Sequence, residues 1–173
     1  MELTIKQEQK GDCHAVYAVN TEAFGRESEA RLVDLLRKDR AFIPELSLIA
    51  ESNNRIVGHI LFTKIDIVDE GGKSHTSLAL APVAVLPGDQ QQGIGAMLIN
   101  TGLTIAKSMG YRSVIVLGHE HYYPKFGFAP ASTWSIKPPF DVPDEVFMAL
   151  ELVPDGLNGV SGVVRYAEPF EQV

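Results

Sequence analysis

A chain of 173 residues, 45% hydrophobic and 21% charged, is long enough to bury a real core as one domain. Its formal charge of −7 opposes a nucleic-acid surface, which needs clustered Lys and Arg, and suits a neutral or cationic ligand. The single cysteine, Cys13, excludes an intramolecular disulfide and a thiolate metal cluster, and reads as a small packing residue.

The N-terminal Met-Glu-Leu-Thr-Ile-Lys-Gln-Glu lacks the basic start and apolar core of a signal peptide. No apolar run approaches the roughly 20 residues that cross a bilayer. A cytoplasmic address without a membrane partner is therefore expected. Leu3 and Ile5 alternate with polar neighbours as a short strand. Asp12 is placed to cap a helix whose inner face is Val16, Val19 and Phe24, interrupted at Gly25. A second amphipathic helix spans Glu29 to Arg37, with Pro44 as its far boundary. Leu46 to Glu51 and Ile56 to Val68 read as strands joined by Asn53-Asn54, two residues that tolerate positive φ. Asp69 to Lys73 is a second turn, and Leu80 to Leu86 a buried strand. A helix over Gly93 to Met109 carries Ile94, Met97, Leu98, Thr101, Ile105 and Met109 on one face. Gly110 ends it. Ser113 to Leu117 is a β-branched strand, parallel to the strand before the helix. After a Pro-rich stretch from Ala129 to Val146, Phe147 to Val153 and Val163 to Tyr166 are strands. Their edges could pair across a homodimer; a monomer is equally compatible.

The chemistry concentrates in Leu80 to Leu98, where strand, glycine-bearing turn and helix follow one another. A helix start carries unpaired N–H groups and partial positive charge, and glycines let an anion approach them. A Walker loop would need Lys where Ile94 stands. A dinucleotide site would need a third glycine where Leu98 stands.

Gln90-Gln91-Gln92-Gly93-Ile94-Gly95 resembles the Gln/Arg-x-x-Gly-x-Gly/Ala signature of the GNAT family of N-acetyltransferases. Tyr123-Pro124-Lys125-Phe126-Gly127-Phe128 resembles the same family's Tyr-x-x-x-Gly-Phe. Ala81-Pro82-Val83-Ala84-Val85 and Leu157 to Gly162 resemble its YhbS-like subgroup. The resemblance implies a mixed α/β fold with a mostly antiparallel sheet, a splayed parallel strand pair and flanking helices. It also implies acetyl-CoA as co-substrate, with no metal, and an amine acceptor. Pyrophosphate would meet Gln90, Gln91, Gln92, Gly93, Ile94, Gly95 and Ala96. The pantetheine arm would pair with the backbone of Val83, Ala84 and Val85, and one N–H there would stabilise the reacting carbonyl. A bulge at Pro82 would help to open the slot.

Tyr123 occupies the family's general-acid position, with Tyr122 beside it as the alternative. Relatives place a Glu on the strand where Leu78 and Leu80 stand here, so the base is sought elsewhere. His119 is the leading candidate, in the run His119-Glu120-His121. His59 is either a core histidine or one facing the cleft. Glu27, Glu29 and Arg31 border the helices that cover the acceptor site in this family. Asp141, Asp144 and Glu145 could attract a cationic acceptor, and Lys125 could approach the 3′-phosphate of the cofactor.

Overall fold

The computed structural model describes residues 2–173. Its strands are β1 (Leu3–Gln7), β2 (Phe42–Ser52), β3 (Arg55–Val68), β4 (Ser74–Val85), β5 (Ser113–Leu117), β6 (Ala129–Pro130), β7 (Ile136–Lys137), β8 (Phe147–Glu151) and β9 (Gly162–Arg165). Its α-helices are α1 (Cys13–Phe24), α2 (Ser28–Leu36) and α3 (Ile94–Ser108). Strand order is β1-β2-β3-β4-β5-β8-β6, with β9 on β3 and β7. β1–β2, β2–β3, β3–β9, β5–β8 and β6–β8 pair antiparallel, whereas β4–β5 and β7–β9 pair parallel. Contacts group the chain into two units.

The first unit takes the chain to Thr63, with Ala81–Ile105 and Ala167–Val173. Asn53 and Asn54 adopt φ of 52° and 62° and turn β2 into β3, so that Ile49 faces His59. Val16 from α1 packs with Leu32, Val33 and Leu36 from α2 on Ile49 and Leu61, and Phe42, Ile56 and Phe170 close over them. Strand alternation sends Phe62 the other way, toward α3. There Gly102 is required, because a Cβ would overlap the Phe62 ring.

Four expectations are corrected here. Phe24 is 39% exposed, since Gly25 (φ +68°) already ends α1. Asp12 does stand at the α1 N-cap, but its carboxylate turns back to accept the N–H of Gln9 at 2.8 Å. Pro44 lies inside β2, at the register break between Phe42 and Ser47, where a missing N–H costs no ladder bond. The inner stripe of α3 is Ile94, Leu98, Gly102 and Ala106, whereas Met97 and Met109 are exposed. Small residues let this face approach the sheet closely, and hydrophobicity alone points to the larger methionines.

The second unit is Lys64–Leu80 with Ala106–Tyr166. Ile65, Ile67, Ala79, Ile115, Phe147, Ala149 and Val164 form its centre. β5 lies parallel to β4 through Leu78↔Val114 and Ala79↔Ile115, and a buried Ser77–Ser113 hydroxyl pair at 2.7 Å pins the register. β8 is bonded on both sides, by β5 and β6, and β9 by β3 and β7. The second partner covers β8 only at Met148 and Ala149, and β9 only at Gly162 and Val163.

Candidate active site

The end of β4 and the start of α3 form a tightly held turn. Val83 and Val85 are half-buried and Ala84 is buried. Ala84 sits against Gly58, where a Cβ would come 3.2 Å from the Ala84 carbonyl and 3.0 Å from Leu98. Leu86 N–H donates to Val57 O at 2.9 Å, and Asp89 N–H to Leu86 O at 2.8 Å. The Gln90 side-chain amide donates back to Val85 O at 3.1 Å. Arg55 reaches Asp89 at 3.2 Å and ties the β2–β3 hairpin to this loop. Pro82 is buried within β4, and the Ala81–Pro82 peptide is cis.

Gln91 (φ +63°) and Gly93 (φ +82°) then turn the chain into α3. Met97 N–H donates to Gly93 O at 3.0 Å. The first-turn N–H groups of Ile94, Gly95 and Ala96 thus have no intrahelical acceptor. No acidic side chain stands in that turn to neutralise them. The geometry suits an anion. Beside it an open cavity of about 490 Å³ is lined by Glu22, Arg55, Leu86, Pro87, Gly88 and Asp89.

In the second unit, Tyr123 opens a short 3-10 turn after β5. Its N–H and that of Tyr122 converge on His119 O, at 3.4 and 3.1 Å. The ring is wedged edge-on against Phe128 and Tyr122, with centroids at 5.7 and 5.2 Å, and lies over Gly118, where a Cβ would overlap it. Tyr123 is 8% exposed; burial first, then Tyr122 beside it, pushes the phenol up to about 12. Tyr122 is half-buried and also raised by burial, and Lys125 lies 5.2 Å over its ring.

His119 is exposed, and its Nδ1 accepts the N–H of His121 at 3.2 Å. Its Nδ1 is thus engaged within its own loop. His59 does not face a cleft. It is fully buried between Asn20 and Ser47, and burial first, then the Arg37 charge, pulls it down to about 3. Asn20 Nδ2 donates to Val16 O at 3.0 Å and to His59 Nδ1 at 3.2 Å. His59 Nε2–H then donates to Ser47 Oγ at 3.0 Å, and Ser47 to Glu8 at 3.0 Å. Arg37 closes the chain on Glu8 and Asp34, each at 2.6 Å. Glu8, Ser47 and Asn20 carry no motif, so only the three-dimensional pairing reveals this network.

A model of the Acetyltransferase (GNAT) family matches residues 13–128. The chain belongs to the GNAT acetyltransferase family. It is 38% identical over 166 residues to the uncharacterised N-acetyltransferase YjhQ of Escherichia coli K12, covering 94% of this chain and 91% of the relative. It is 30% identical over 171 residues to YhbS of the same organism, covering 98% and 99%. The crystal structure of E. coli YhbS in complex with CoA superposes with a TM-score of 0.91 at 29% identity, covering 99% of this chain and 93% of that one. A GNAT acetyltransferase from Brucella melitensis in complex with acetyl-CoA gives 0.79 at 32% identity, covering 98% of each. The mixed sheet with its parallel β4–β5 pair is the GNAT fold that the motifs implied.

Three of the candidate carboxylates of this GNAT chain, Glu27, Glu29 and Asp144, have local partners. Glu27 accepts from Tyr17 at 2.9 Å, which raises the phenol. Arg26 grips Glu29 at 2.5 Å and holds that carboxyl below its usual range. Asp144 accepts from Ser132 at 2.9 Å, while Asp141 and Glu145 are exposed. Among the described residues no group of three or more His, Cys, Asp or Glu gathers to hold a metal. No described helix is long and apolar enough to cross a membrane.

Proposed function

We propose that this chain, acting as a single catalytic domain, transfers the acetyl group of acetyl-CoA to a primary amine by direct attack in a ternary complex. The observation that carries the reading is the β4–α3 turn: strand backbone followed by free helix-start amides. Solved relatives with CoA and acetyl-CoA, at TM-scores of 0.91 and 0.79, support it.

In this reading Gln91 through Ala96 cradle the pyrophosphate through backbone N–H groups, and Gln90 shapes the loop by holding Val85 O. Val83, Ala84 and Val85 offer strand backbone to the pantetheine amides. The neutral amine attacks the thioester carbonyl. A C–N bond forms as the C–S bond breaks, a strand N–H holds the oxyanion, and Tyr123 gives its proton to the departing thiolate. The attacking nitrogen releases its proton to water.

The experiment is a ligand series in thermal unfolding with a paired variant. Acetyl-CoA raises the melting temperature, whereas NAD and ATP do not. Tyr123→Phe lowers kcat by about 100-fold or more with acetyl-CoA affinity retained. A shift with NAD or ATP alone would refute the cofactor assignment. Unchanged turnover would remove Tyr123 from the reaction.

A further inference from the structure

Residues 86–97, the turn that leads into α3, carry one charge in their sequence, Asp89, and no Lys, Arg or His. Asp89 lies two residues before Gln91, so their Cα atoms are at most about 7.6 Å apart. The Debye length at physiological ionic strength is about 8 Å, so salt does not screen one position from the other. A bare carboxylate here repels an anion at the free amides of the α3 start. Counter-charge has to come from another part of the chain, and the β2–β3 hairpin supplies it.

Arg55 is the first residue of β3, directly after the Asn53-Asn54 turn. Its Nη2 donates to Asp89 Oδ2 at 3.2 Å. The Asp89 side chain is 17% exposed and that of Arg55 64%, so the carboxylate is sunk in the loop and the guanidinium is the outer partner. Backbone bonds already join the two segments, through Leu86 N–H on Val57 O and Asp89 N–H on Leu86 O. Exposed ion pairs add little to stability, so these bonds carry most of the shape of the turn. What the pair changes is charge. The cavity beside the turn is lined by two carboxylates, Glu22 and Asp89, and one guanidinium, Arg55. Together they carry a net charge of −1, and without Arg55 it is −2.

Resting on the reading that this turn cradles the pyrophosphate of acetyl-CoA, we propose that Arg55 is a positioning residue for cofactor binding: it neutralises Asp89, so that the one charge within the turn does not oppose the cofactor's phosphates. Arg55 acts through Asp89, and the backbone N–H groups remain the phosphate donors.

The test is calorimetric titration of acetyl-CoA into the full chain and its variants. Arg55→Ala raises the Kd by about tenfold at about 50 mM NaCl and by less than about threefold at about 500 mM. Asp89→Asn alone binds at least as tightly as wild type. Arg55→Ala combined with Asp89→Asn has the wild-type net charge at the cavity and returns to within about threefold of the wild-type Kd. Arg55→Lys keeps the charge and stays within the same range. Should Arg55→Ala not fold, Arg55→Gln keeps most of the stem, removes the charge and shows the same loss. An unchanged Kd in Arg55→Ala, a loss that salt does not diminish, or a double variant as weak as Arg55→Ala overturns the role of Arg55 and leaves acetyl-CoA as the cofactor. If the wild-type chain does not bind acetyl-CoA at all, both readings fall.

Discussion

The ring of Tyr123 rests directly on Gly118, at a position where any Cβ would overlap it. Gly118, the residue after β5, thus sets how deep the phenol sits. Gly118→Ala must push the ring outward or shift the strand end. The expected result is a fall in kcat of about 10- to 100-fold with the KM for acetyl-CoA changed by less than threefold, read by steady-state kinetics. A melting curve separates this from overpacking, which costs roughly 1–3 kcal/mol.

Tyr123 also makes a pH prediction. Its folded value, about 12, lies above the unfolded 10.0. The protonated acid is present throughout the neutral and mildly alkaline range, so kcat does not decline from loss of this proton between pH 7 and 10. The linked stability is complete below pH 10 and is lost as pH rises toward 12. Comparing wild type with Tyr123→Phe in denaturant titrations across that window isolates the effect.

His59 gives the opposite limb. Its folded value, about 3, lies below the unfolded 6.5, because burial and Arg37 disfavour the imidazolium. Between these values the unfolded chain binds the extra proton. The contribution is complete above pH 6.5 and lost as pH falls toward 3, on the order of 5 kcal/mol in all. His59→Gln flattens the slope of stability against pH in that window. An identical slope in wild type and variant would contradict it.

Removing Arg37 strands Glu8, whose side chain is only 5% exposed. Arg37→Met is expected to cost about 3–5 kcal/mol, and adding Glu8→Leu to recover most of it. A double-mutant cycle in urea measures both.

Gly93 is required by conformation rather than by space: its φ is +82° and nothing lies within 4 Å of a Cβ. Gly93→Ala therefore weakens acetyl-CoA binding through the turn, by about 1–2 kcal/mol, without a packing clash. Calorimetric titration with acetyl-CoA reads it directly.

Much of this was legible from local chemistry. Asn53-Asn54, Gly25 and Gly93 announce their turns because few other residues accept those backbone angles. Val114, Ile115 and Val116 are apolar and β-branched, and Ser113 to Leu117 forms a strand around them. What stayed hidden depends on partners distant in sequence. The buried stripe of α3 runs through Gly102 and Ala106 because Phe62 needs the room. His59 turned inward because Asn20 and Ser47 satisfy both ring nitrogens. Pro44 reads as a helix stop until the irregular register of β2 shows where it fits.

In the proposed reaction an acetyl group moves from the thioester to an amine in one step. The direct measurement is mass spectrometry of enzyme, acceptor and CoA after incubation with isotopically labelled acetyl-CoA and an amine panel. The expected result is labelled N-acetylated product and CoA in equal amounts, with no label left on the protein. Release of CoA with labelled acetate and no acetylated amine, or label held covalently on the enzyme as an intermediate, would contradict it.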